Sequence, residues 1–231
     1  VSMCSSVKFK SCNLEGINLK FREGAEVWLS DAKNLPEELD LSMCSSVVLG
    51  RCNLGSLSEL KFRDGAEVDL IQAFNYPKDV DFSMCSNVYL SNCDLAKFNN
   101  LKFREGAVAD LEYAKNLPKD LDVSMCSWVG LHGCDLEGLN LKFREGAEVN
   151  LEDAKNLPKD LDFSMCSKVD LQGCNLKGIN LKFREGAEVD LEGARNLPEV
   201  LDVSMCSWVD LRYRDLSGVK ELKFREEGRV C

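Results

Sequence analysis

Leu141-Lys142-Phe143-Arg144-Glu145-Gly146-Ala147 and Leu161-Asp162-Phe163-Ser164-Met165-Cys166-Ser167 are two versions of one phrase, starting twenty residues apart. Versions of the pair recur from Val1 to Cys231, so each residue is a member of a column before it is a candidate site. Within each phrase two apolar residues flank one polar residue. That is the pattern of a short strand whose alternate side chains face opposite ways. One such series runs through Leu19/Phe21, Leu39/Leu41, Leu60/Phe62 and Val80/Phe82 to Leu222/Phe224. A second begins eight residues after each member, from Val27/Leu29 to Val209/Leu211.

The most visible repeat is 40 to 41 residues, marked by Cys4, Cys44, Cys85, Cys126, Cys166 and Cys206 in Ser-Met-Cys-Ser. Charge decides whether one coil takes all of it or half. A 40-residue coil stacks Lys20, Lys61, Lys102, Lys142, Lys182 and Lys223 on one another at about 4.8 Å, a column of like charge. A 20-residue coil gives Lys20, Asp40, Lys61, Asp81, Lys102, Asp122, Lys142, Asp162, Lys182, Asp202, Lys223, an unbroken alternation of sign. Each exposed pair is worth only about 0.2–1 kcal/mol. The regularity nevertheless predicts 20 residues per coil.

Small residues mark the corners. One column reads Gly24, Cys44, Gly65, Cys85, Gly106, Cys126, Gly146, Cys166, and the next Ala32, Cys52, Ala73, Cys93, Ala114, Cys134, Ala154, Cys174. Both are expected to point inward and interleave wide with narrow side chains. All five prolines fall in one column of Asn-Leu-Pro-like turns, Pro36, Pro77, Pro118, Pro158 and Pro198. No segment shows ten residues of helical periodicity, so almost no α-helix is expected.

The pattern L-x-x-L-x-L-x-x-(N/C) is met at Leu157-Pro158-Lys159-Asp160-Leu161-Asp162-Phe163-Ser164-Met165-Cys166, and its second half again at Val169 to Leu176. This resembles the leucine-rich repeat family, in particular the short nested bacterial repeats that carry the signature on both sides of each coil. The resemblance covers essentially the whole chain and implies a fold more than a function. Two departures stand out: Cys, Gly or Ala replaces the corner asparagine, removing its amide ladder, and the convex helix is missing. Segments such as Cys174-Asn175-Leu176-Lys177-Gly178 also look like pentapeptide repeats, but strict five-residue spacing breaks at the Asn-Leu-Pro turns, which places that architecture second.

The expected fold is therefore all-β: a right-handed parallel β-solenoid of about eleven 20-residue leucine-rich-repeat-like coils, with residues 1–231 forming a single repeat domain. Val1-Ser2-Met3-Cys4-Ser5 matches Val123-Ser124-Met125-Cys126-Ser127, so the chain opens in mid-repeat and reads as a fragment of a longer protein. Uncapped terminal coils then predict end-to-end self-association. There is no run of 18 apolar residues and no leader-like start. The net charge of −10 argues against nucleic acid and anionic membrane as partners.

Twelve cysteines raise disulfides, a metal site and a redox relay. Equivalent cysteines such as Cys44 and Cys85 lie two coils apart, about 9–10 Å, beyond the reach of a bridge. The spacing C-x7-C matches no common zinc pattern, and His132 is the single histidine. The corner cysteines read as reduced, buried small hydrophobes, which suits the cytoplasm. Cys231 is the exception and is free to crosslink chains.

Catalysis needs unlike groups brought together, whereas the polar residues here recur in identical columns. His132 stands outward between Glu112 and Glu152 and reads as a solvated histidine. Asp170, Asp190 and Asp210 suggest a calcium ladder but lack the loops that usually accompany one, and read as solvated carboxylates. The sequence thus predicts neither an enzyme nor a cofactor or metal site.

Arg22, Arg63, Arg104, Arg144, Arg184 and Arg225 repeat on the Leu-x-Phe face as Lys and Asp do, so that face reads as structural. On the other face the outward residues vary, and Trp28, Tyr89, Trp128 and Trp208 stand among carboxylates, a composition suited to contact surfaces. The expected role is a non-enzymatic scaffold binding an unknown protein partner through the variable face. A purely structural spacer or stalk segment is the alternative.

Overall fold

The computed structural model describes residues 4–77, 80–98, 101–213 and 215–225, together with the backbone of 229–230. The chain winds as a parallel β-solenoid of about eleven coils with about 20 residues each, and no helix forms among the described residues. None is therefore long and apolar enough to cross a membrane.

Each coil contributes one short strand, three residues long except for the two-residue last one, to a 12-stranded parallel sheet that runs from Ser6–Lys8 to Arg229–Val230. The central residue of each strand points inward and is buried: Val27, Val47, Val68, Val88, Ala109, Val129 and so on. β-Branched residues dominate because a pleated, half-buried surface accepts them best. Two residues later Leu29, Leu49, Leu70, Leu90 and their equivalents, mostly fully buried, close the core.

The register steps by 20 residues in most coils and by 21 at Ser46↔Glu67, Asn87↔Val108 and Trp208↔Arg229. The extra residue falls at the far corner, just ahead of the Leu-x-Phe segment. There Lys220 and Glu221 both donate their N–H to the Glu199 carbonyl, at 2.7 and 3.0 Å. A bulge on that side absorbs the insertion and leaves the long sheet undisturbed.

Lysine and aspartate are neighbours one rung apart, as the charge argument requires. Lys182 pairs in register with Asp162 and Lys223 with Asp202, with N–O distances of 3.9 Å in both. The Leu-x-Phe face is less regular than its sequence suggests. Among the described residues, ladder strands form there only at Asp160–Phe163 with Asn180–Phe183 and at Val200–Asp202 with Glu221–Lys223, plus a Leu60↔Val80 bridge. Every second coil reaches this face through an Asn-Leu-Pro-like corner, whose proline has no N–H to donate. Packing holds the face instead: Phe163 stacks between Phe143 and Phe183 with ring centres 5.6 and 6.0 Å away.

The corners correct one column. Cys44 points inward and is fully buried, but its partner from the neighbouring coil is Ala25 rather than Gly24. In one coil the turn closes from Leu41 O to Cys44 N–H, and in the next from Arg22 O to Ala25 N–H. Gly24 takes φ 72° inside that turn and faces out. The hydroxyl of the following coil's Ser45 donates to the Gly24 carbonyl at 2.9 Å, and Ser86, Ser127, Ser167 and Ser207 repeat the bond.

The Ala32/Cys52 column is inward throughout, and its thiols are partnered. Cys52, Cys93, Cys134 and Cys174 each donate S–H to a leucine carbonyl of the preceding coil at 3.0–3.1 Å. Cys4 and Cys12 differ: both are exposed, because no described coil lies above them. All cysteines among the described residues are free; Cys231 lies outside them.

Candidate interaction face and its singular coil

The outward face of the long sheet carries two side-chain columns, with a third where each strand enters its turn. In the first, Glu26, Ser46, Glu67, Asn87, Val108, Trp128, Glu148, Lys168, Glu188 and Trp208 follow one another. In the second the order is Trp28, Val48, Asp69, Tyr89, Asp110, Gly130, Asn150, Asp170, Asp190 and Asp210. Carboxylates crowd the half from Asp110 onward.

The four aromatics do not form one patch. Trp28 and Tyr89 share a column three coils apart, roughly 14 Å, while Trp128 and Trp208 share the other at four coils, roughly 19 Å. Trp28 is exposed, with the Lys8 ammonium 4.6 Å above its ring. Tyr89, Trp128 and Trp208 are half-buried. The Tyr89 hydroxyl accepts from Asn87 Nδ2 at 3.0 Å. Trp128 lies flat across Gly130, in the space a side chain there would fill.

Asp170, Asp190 and Asp210 are not the solvated carboxylates the sequence suggests. Asp210 is 1% exposed and the other two are half-buried. Each accepts the backbone N–H two residues on, from Gln172, Glu192 and Arg212 at 2.8–2.9 Å, which folds the carboxylate onto its own turn. Asp69, Asp110 and Asn150 make the same bond. Burial pushes the carboxyls of Asp69 and Asp170 up. Gln172 bridges Asp170 and Asp190, and the Arg212 guanidinium contacts Asp210 and Glu192 at 2.7 and 2.8 Å.

One coil departs from its neighbours. In Trp128-Val129-Gly130-Leu131-His132-Gly133 two outward positions carry glycine, and the space is filled by Trp128 of the same coil over Gly130 and by Tyr113 of the coil before over Gly133. Asn150 Nδ2 donates to Glu112 Oε1 at 3.3 Å, reaching past Gly130 across two coils. The Tyr113 ring leans over Gly133, whose φ is 67°, and onto the His132 ring with centres 4.5 Å apart. His132 is strung along the solenoid axis: Nε2 lies 2.8 Å from the Tyr113 hydroxyl in the coil before, and Nδ1 lies 3.6 Å from Glu152 Oε2 in the coil after. Asp153 stands beside Glu152, so His132, Glu152 and Asp153 bring ligand-type atoms within 4.8 Å of one another. The placement of His132 between Glu112 and Glu152 was legible in the sequence, but the ring is half-buried against Tyr113 rather than solvated. Tyr113 and Asp153 were missed; the signal for them was the next column, Tyr113, Gly133, Asp153, Gly173, Gly193, Tyr213, where glycine opens room for its neighbours.

Stacked parallel coils with a divergent outward face define a repeat protein of the β-solenoid class. No protein family, no curated protein and no solved structure matches the chain.

Proposed function

We propose that the chain is a non-enzymatic scaffold that binds a protein partner along the outward face of the long sheet. The observation that carries this reading is the contrast between faces: outward positions on the long sheet change from coil to coil, while Lys, Asp, Arg and Ser repeat on the opposite side. A strip roughly 50 Å long, from about eleven coils at the inter-strand spacing, with widely spaced aromatics set among carboxylates, suits an extended partner that presents basic side chains. Recognition would draw on Trp28, Tyr89, Trp128 and Trp208, not as one hot spot but as separate footholds. Kinship with the leucine-rich repeat family is part of this reading and rests on the L-x-x-L-x-L pattern.

A lysate pull-down with the native chain and with Trp28, Tyr89, Trp128 and Trp208 all changed to alanine tests it. A protein held by the native chain, released by salt and lost by the variant is the expected outcome. Equal recovery by both chains would mean that these aromatics take no part in binding. The second reading is a structural spacer or stalk segment, favoured by ion pairs that couple alternate coils, such as Arg104–Asp64 at 3.2 Å and Arg144–Glu105 at 3.7 Å. It predicts no retained partner. The edge strand Ser6–Lys8 and the exposed Cys4 and Cys12 beside it also support end-to-end association of this chain, expected as a sedimentation coefficient that climbs with concentration.

A further inference from the structure

We propose that His132, Glu152 and Asp153 form a binding site for one divalent transition-metal ion, with zinc as the best fit. The donor set is one imidazole and two carboxylates from adjacent coils, with ligand atoms within 4.8 Å of one another. Zinc bonds of about 2.0–2.2 Å to such donors require the three to draw together by roughly an ångström, within reach of carboxylate side-chain rotation. An imidazole favours zinc, copper or nickel over calcium or magnesium. Two carboxylates balance the charge of the ion, and three protein donors leave a position for water.

A second observation points the same way. Metal-ligating histidines are generally held by a partner on the other ring nitrogen, which fixes the tautomer and the ring plane. Here the Tyr113 oxygen sits 2.8 Å from Nε2, and the Tyr113 ring packs against the imidazole. With Nε2–H donated to Tyr113, the Nδ1 lone pair faces Glu152. Glycine at 133 gives Tyr113 the room to take this position.

The neighbouring acidic trio, Asp190, Glu192 and Asp210, makes the contrast. Its ligand atoms are equally close, but the Arg212 guanidinium already occupies it. Among the described residues no lysine or arginine forms an ion pair with Glu152 or Asp153. Lys155 and Arg195 line the shallow groove alongside, and Arg195 donates to the Gly173 carbonyl at 3.2 Å.

The test titrates zinc chloride into the full chain after its accessible thiols have been alkylated, followed by calorimetry and by nitrogen-detected NMR of the imidazole. The chain has one histidine, so one ring reports. The expected result is one equivalent bound, with Nδ1 perturbed and Nε2 remaining protonated. Asp153→Asn keeps the left-handed backbone at that position (φ 52°) and should weaken binding roughly ten-fold or more. Tyr113→Phe should weaken it less and disturb the Nε2–H signal, while Glu192→Gln should leave it unchanged. An imidazole spectrum indifferent to zinc overturns the proposal, as does binding that survives both Asp153→Asn and His132→Ala. Binding abolished by alkylation assigns the metal to cysteine and overturns it equally.

Discussion

At the scale of single residues, the corners depend on side chains that stand in for missing backbone partners. Asn156 takes φ 51° and donates from Nδ2 to Asp135 Oδ1 at 2.9 Å, while Asp135 in turn accepts the N–H of Glu137. Asn34, Asn75, Asn116 and Asn196 repeat the arrangement, so cross-coil amide bonds do exist, at a corner other than the one the leucine-rich pattern indicates. Asn156→Gly keeps the left-handed backbone and loses the bond, whereas Asn156→Ala loses both. We expect losses of about 1 and about 2 kcal/mol in urea unfolding, and equal losses for the two variants would remove the conformational part. The thiols divide just as clearly. Cys4 and Cys12 are exposed and nine others are buried. Labelling by a soluble disulfide reagent near neutral pH should therefore modify Cys4 and Cys12 at once and the nine buried thiols only on unfolding; fast reaction at Cys126 or Cys174 would contradict the packing.

At the scale of the coil, the Lys–Asp column made the period legible, yet its aspartates do more than pair with lysine. Asp122 Oδ1 accepts both the N–H and the hydroxyl of Ser124, at 3.0 and 2.6 Å, and Asp40 and Asp202 bind Ser42 and Ser204 in the same way. These bonds hold the Asp122 carboxyl below its usual range, with Lys142 and Lys102 as smaller contributors. Asp122→Asn should thus stay within about 0.5 kcal/mol of the native chain, while Asp122→Ala should cost about 1–2 kcal/mol. If the two lost the same amount, the charge rather than the turn would be the stabilising feature. The distinction explains what the sequence could and could not show. Opposite charges one rung apart announce the coil length, because a column of lysines is unfavourable in any geometry. The inward residue at the Gly24 corner was not legible by spacing: in both coils the strand valine comes eight residues after the leucine, Val27 after Leu19 and Val47 after Leu39, and only the turn's position, one residue later in the glycine coil, brings Ala25 inward. The His132 cluster was half legible, because neighbours along its own column could be counted, whereas Tyr113 and Asp153 reach it from the adjacent column through space that Gly133 and Gly173 leave open.

At the scale of the whole molecule, the solenoid carries its cysteines as a row of protons that must stay in place. Burial pushes Cys44 and Cys52 up to about 11, and Cys85, Cys126, Cys134, Cys166, Cys174 and Cys206 up to about 12, with Cys93 raised as well. In the unfolded chain the same thiols ionise near 8.5. The folded values lie higher, so the unfolded state holds fewer protons between the two. Stability is intact below the unfolded value and falls as pH rises above it, by about 1.4 kcal/mol per pH unit for each thiol. Nine such groups acting together exceed the stability of an ordinary domain within about a unit or two of pH. We expect cooperative alkaline unfolding between about pH 9 and 10.5, followed by circular dichroism. Thiolate absorbance should appear in the same transition, because the thiols ionise only when the coils open. Replacing Cys134 or Cys174 by alanine forfeits an S–H bond to the coil before, yet removes one ionising group, so the variant should be less stable at pH 7 while unfolding over a wider pH range. A native chain that keeps its fold to pH 11, or thiolate absorbance that precedes the loss of structure, would show that the buried thiols do not govern the alkaline limit.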